Sequence, residues 1–141
     1  MLLYRPTGLR ELRLVADSGW TRWPPRLPDQ PIFYPVLTLS YSVTIARDWN
    51  TKDPFSDHVG FVTRFQLDDA FAIRYPVQQA SGRSHTELWV PSAELTLFND
   101  HIRGFIEVID AFTGSACTVS IDPDTHLPAG VSAPILHVIV A

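Results

Sequence analysis

The segment from Val59 to Leu67 limits what this chain can fold into more than any other. Val59, Phe61, Phe65 and Leu67 fall on one side of a two-residue alternation, with Val62, Arg64 and Gln66 on the other. That period, filled with aromatic and β-branched side chains, predicts a long strand with one apolar face. Gly104 to Phe112, centred on Phe105-Ile106-Glu107-Val108-Ile109, predicts a second.

The remaining predicted elements are short. Leu2 to Arg5 reads as a strand stopped by Pro6, and Thr7 is placed to cap a helix whose Leu9, Leu12, Val15 and Ala16 recur at helical spacing. Gly19 is placed to end it. Trp23-Pro24-Pro25-Arg26-Leu27-Pro28, followed by Pro31 and Pro35, predicts a stiff extended loop around a short strand, Ile32-Phe33-Tyr34. A second helix is expected from Ser40 to Trp49, with a Tyr41, Ile45, Trp49 stripe facing the core. Then come a short helix in Asp68 to Tyr75, a short strand at Pro76 to Gln78, and a loop over residues 81–84. His85 to Val90 reads as a strand closed by Pro91, and Ser92 as the cap of a helix running through Phe98.

These pieces are too short for a doubly wound parallel sheet. They predict a compact single α+β domain over residues 2–112, with a split, mostly antiparallel sheet and short helices. Trp49, Phe61, Phe65, Leu88 and Ile106 are its expected core. From Thr113 to Ala141 the chain has no Lys or Arg and ends in the apolar run Ile135 to Val140. Residues 113–141 are therefore expected to form an appendage, either poorly ordered or a hairpin. In the hairpin, Cys117 to Ile121 and the terminal run would be the arms around a turn at Asp122 to Thr125, and the rest should fold without it.

Composition excludes several classes. The 141 residues carry a net charge of −4, Lys52 is the only lysine, and no basic stripe exists to bind nucleic acid. The single cysteine, Cys117, forbids an internal disulfide framework. His58, His85, His101, His126 and His137 are scattered without ligand spacing, so no metal is expected. There is no apolar stretch of membrane-spanning length and no signal peptide, which predicts a cytoplasmic protein without a membrane partner.

Two strings draw attention for chemistry, Tyr4-Arg5-Pro6 and Glu87-Leu88-Trp89-Val90-Pro91. Each sets one charge on a short strand, and a carboxylate among apolar residues is costly unless it is paired or used. His85, two residues before Glu87, shares its strand face.

These strings also carry a resemblance, together with Trp23-Pro24-Pro25-Arg26-Leu27-Pro28, Gln30 to Leu37, Ile45-Ala46-Arg47-Asp48-Trp49-Asn50 and Gly104 to Ile109. Over residues 2–112 the chain resembles small bacterial proteins labelled "ADP-ribosylation/crystallin J1". The large helical hydrolases behind that label, with paired metal-binding aspartates, do not fit a short mixed α and β chain. The layout is more similar to the ADP-ribosyltransferase fold. The resemblance implies an NAD-dependent mono-ADP-ribosyltransferase or NAD-cleaving enzyme, with NAD as substrate and a protein as possible acceptor. It implies Glu87 as the catalytic carboxylate. Arg5 would be the first-strand charge that holds the dinucleotide, with Tyr34 or Tyr41 against nicotinamide and Tyr4 and His85 beside them. The sequence departs from that fold's pattern in having His85 two residues before Glu87 and in lacking a Ser-Thr-Ser strand. The alternative is a non-catalytic module that holds a protein or small ligand in an aromatic groove of Trp20, Trp23, Phe33 and Tyr34.

Overall fold

A computed structural model describes residues 1–80 and 85–134. The central strand is β3, Val59–Leu67, flanked antiparallel by β1, Leu2–Thr7, and β7, Ile102–Thr113. Both long strands stand where their alternation places them. Phe61, Phe65 and Leu67 are buried as expected, but so are Gly60 and Val62, because helices cover both faces of this half of the sheet.

One helix is α1, Leu9–Asp17, which buries Leu9, Leu12 and Val15. Its cap position is Gly8 rather than Thr7, which is the last residue of β1. A Cβ on Gly8 would lie 2.6 Å from Ser56 Cα, so only glycine fits there. Past the helix, Gly19 (φ 77°) and Trp20 (φ 64°) turn the chain back, and Trp20 then accepts from the Ile106 amide at 2.7 Å.

The other helix is α2, Leu39–Asp48, capped by the Thr38 hydroxyl, which accepts from Tyr41 N. Its buried residues are Ser42 and Ala46 rather than the expected Tyr41, Ile45, Trp49 stripe. Ala46 sits directly on Gly60, where a Cβ would be 2.3 Å from the Ala46 carbonyl oxygen. Small residues on both sides let the helix backbone touch the sheet, and that close approach turns the larger stripe aside. Trp49 ends 71% exposed at the helix C-cap, so it is not core.

Val36 extends the sheet beyond β1. It exchanges two hydrogen bonds with Tyr4 and bridges to Glu87 in β5, Thr86–Glu87, which pairs with β4, Gln78–Gln79. The strand expected from His85 to Val90 is therefore broken. Leu88 N donates to Pro35 O, and the chain crosses into β6, Val90–Pro91, which pairs with β2, Ile32–Phe33, as a separate two-stranded sheet. All described ladders are antiparallel, and two short helices complete the set: α3, Asp69–Ala72, and α4, Leu95–Asp100. The architecture is a compact α+β domain. No helix among the described residues is long and apolar enough to cross a membrane.

The core is an aromatic chain. Trp23 meets Phe33 and Phe65 at ring separations of 5.6 and 5.3 Å, and Phe98 meets Phe33, Phe65, Phe71 and Tyr75. Leu88 and Ile106 are buried beside them, as expected. Trp20, Trp23 and Phe33 are at most 3% exposed, so three of the four rings expected to line an aromatic groove lie in the interior, and Tyr34 alone of them reaches the surface. The proline-stiffened loop folds inward because a small domain gains more by burying such rings than by displaying them.

Residues 114–134 are packed onto this body. Gly114 N donates to His58 O, Trp20 Nε1 donates to Ser132 O at 2.9 Å, and Leu127 joins the core. The turn at Asp122 is present, its carboxylate accepting from the amides of Asp124 and Thr125, and Ile121 bridges to Pro128. The loop at residues 81–84 and the arm at Ile135 to Val140 lie outside the described residues. A chain ending at Phe112 is thus expected to lose at least about 2 kcal/mol, the worth of burying Leu127, because Trp20 is uncovered as well. Equal urea midpoints for the shortened and full chains would contradict this.

Candidate functional site

Glu87 is 9% exposed, and both of its carboxylate oxygens are held. Tyr41 Oη donates to Oε2 at 3.1 Å, and Trp89 Nε1 donates to Oε1 at 2.8 Å. The His85 ring lies on the Tyr41 ring, with centroids 4.4 Å apart and planes 9° from parallel. Each group arrives by a separate route. Thr38 caps α2 and so fixes the start of the helix that carries Tyr41, while the Val36 bridge and β4 hold Glu87. The break after β5 frees Trp89 to turn back on the carboxylate.

No Lys or Arg among the described residues pairs with Glu87, and its two hydrogen bonds come from neutral donors. Burial first, and then the adjacent carboxylate, raise the Tyr41 phenol above its ordinary range. The phenol therefore stays protonated and donating through neutral pH. Trp89 is 46% exposed and Tyr41 and His85 are half-buried, so the nearly buried carboxylate lies close to the surface beside three flat rings.

Arg5 is elsewhere. Tyr4, Val36 and Glu87 oppose one another in register, so their side chains share a sheet face, the one covered by α2. Arg5, the next residue of β1, points to the opposite face. There its Nε and Nη2 grip both Glu11 oxygens at 2.9 and 2.7 Å, and Nη1 donates to Tyr34 O at 3.2 Å. The guanidinium lies 4.5 Å above the Phe33 ring, and Arg26 approaches the same Glu11 at 3.7 Å. Tyr34 is 40% exposed, and Tyr4 is half-buried opposite Arg64.

The structure therefore brings together Tyr41, His85 and Glu87 from the expected set. Arg5 and Tyr34 form a separate group. Trp89 is the residue that the sequence reasoning missed. Its signal was present, since it stands two positions after Glu87 in a strand-like string. Glu11 gave no signal, because nothing in a helical pattern reveals which strand residue its carboxylate will meet.

Arg5→Ala leaves Glu11 with only the more distant Arg26 and strips the cation from Phe33. It is expected to destabilise the protein by about 2 kcal/mol, somewhat less than breaking a fully buried pair. The check is chemical denaturation. A loss below about 0.5 kcal/mol would show that this ion pair behaves as an exposed one.

Comparisons with family models, curated proteins and solved structures return no match.

Proposed function

We propose that the Glu87 site binds NAD and cleaves its nicotinamide–ribose bond, making the chain an NAD-dependent mono-ADP-ribosyltransferase or NAD-cleaving enzyme. One observation carries this reading: a nearly buried carboxylate is fixed by two neutral donors, both on aromatic side chains, with a third ring stacked on one of them. A pyridinium ring is flat and positively charged, which suits aromatic faces beside a fixed carboxylate.

The same groups suit the bond-breaking step. The bond between the ribose anomeric carbon and the pyridinium nitrogen breaks, and nicotinamide leaves neutral with the electron pair. Positive charge develops on the sugar, and a carboxylate held in place ahead of time stabilises it without reorganising. Water or a protein side chain then attacks the anomeric carbon and gives up a proton to solvent. Tyr41 and Trp89 orient the carboxylate, and the stacked His85 and Tyr41 rings offer a face to nicotinamide. In this reading Arg5 supports the fold and does not hold the dinucleotide.

Calorimetric titration with NAD tests the binding half. Saturable binding below about 1 mM, the upper end of ordinary substrate affinities, is expected. Binding without nicotinamide release would leave a recognition module at the same site. Absence of binding would remove the proposal.

A further inference from the structure

A second feature, independent of the Glu87 site and away from it, is a local surplus of positive charge. Glu11 faces two guanidinium groups, Arg5 and Arg26, while Arg22 is paired with Asp100 on the rim. Three cations thus meet two carboxylates. Burial, and then the neighbouring Arg5, lower the Arg26 pKa, with Glu11 offsetting them only in part. Glu94, the other acid nearby in sequence, is turned away to Arg74 and Tyr75.

Arg22 and Arg26 line a cavity of about 270 Å³ between the proline-rich loop and the Ser92–Leu95 segment. Among the described residues no carboxylate lines it, and Asp100, on Arg22 Nη1 at 2.9 Å, stands outside the lining. Ser92 and Thr96 are its hydroxyl-bearing residues, and Pro25, Ala93 and Leu95 its apolar ones. Asn99 closes the floor with its amide already committed, accepting from Trp23 N at 2.8 Å and donating to Trp23 O at 2.9 Å. The two arginines are held in place by carbonyls. Arg22 Nη2 donates to Thr96 O and Arg26 Nε donates to Ile32 O, each at 3.2 Å. Fixed guanidinium forks with hydroxyls beside them suit a tetrahedral oxyanion. The volume lies just below the usual range for ligand cavities, which fits a phosphate carrying a small apolar group and not a dinucleotide.

We infer that Arg22 and Arg26 form a binding site for the phosphate group of a small phosphorylated molecule. Neither residue touches the Glu87 site, so the two assignments stand or fall separately.

The test is a titration of the full chain with inorganic phosphate and with phenyl phosphate at constant ionic strength, followed by amide and arginine Nε–H chemical shifts. Saturable shifts are expected at Arg22, Arg26, Ala93 and Thr96, with phenyl phosphate the tighter ligand. Arg22→Gln, a change at a largely accessible side chain, should weaken both ligands at least about tenfold, the worth of one charge-assisted hydrogen bond. Arg26→Gln should do the same where it folds, and Glu87→Gln should leave binding unchanged. Linear shifts spread over every arginine, or unaltered affinity in Arg22→Gln, would overturn the site. Equal affinity for the two ligands would overturn its assignment to a phosphorylated molecule over free phosphate.

Discussion

Phe65→Ala is expected to destabilise the protein by about 3–5 kcal/mol, the range for emptying a buried aromatic site. The ring is 1% exposed and lies edge-on to Trp23 at 5.3 Å and to Phe98 at 6.1 Å, with Leu3 opposite it on β1. The cost depends on how far these neighbours can relax into the vacated space. Trp23 cannot follow, because the Asn99 amide clamps both its backbone N–H and its carbonyl. Phe98 is held between Phe33, Phe71 and Tyr75. The cavity should therefore stay open. Urea denaturation with an unchanged slope and a loss of this size is the expected result. A loss under about 1 kcal/mol would mean that the aromatic chain repacks.

Glu87→Gln is expected to slow nicotinamide release at least about a hundredfold while leaving the fold intact. The substitution is clean because both hydrogen bonds can survive it. The glutamine carbonyl accepts from Trp89 Nε1, and its NH₂ donates to the Tyr41 oxygen, since a phenol hydroxyl can accept as well as donate. Only the charge opposite the developing cation is removed. A fall in kcat with little change in NAD affinity would mark an interaction made in the transition state. Weakened binding with unchanged turnover would mark Glu87 as a recognition group only.

Much of the fold was legible because alternation and helical spacing are local. Val59 to Leu67 and the strand through Gly104 to Phe112 followed from periodicity, as did the helices that begin near Leu9 and Ser40. The failures share a cause, which is contact between distant segments. Trp49 completes an apolar stripe on paper, yet the Gly60–Ala46 contact decides which side of α2 meets the sheet. The proline-rich loop looked like a display of tryptophans, but its rings are the core. His85 to Val90 has the composition of one strand and is divided between two sheets, because Leu88 and Val90 are drawn to different neighbours.

The candidate site was legible to a similar degree. Glu87 and His85 are near in sequence, so their association needed only a strand. Tyr41 reached them through the placement of α2. The separation of Arg5 from Glu87 rests on the parity of a single residue in β1, combined with the Val36 bridge. Parity says that Tyr4 and Arg5 face opposite ways. It does not say which of them shares a face with Glu87.

The most direct measurement is nicotinamide released from NAD over time by the full chain and by Glu87→Gln, at matched NAD saturation and with thermal midpoints recorded for both. Release by the natural chain is expected, at least about a hundredfold less from the variant, and equal midpoints within the error of the measurement. Natural protein that neither binds NAD nor releases nicotinamide, or a variant as fast as the natural chain, would contradict it.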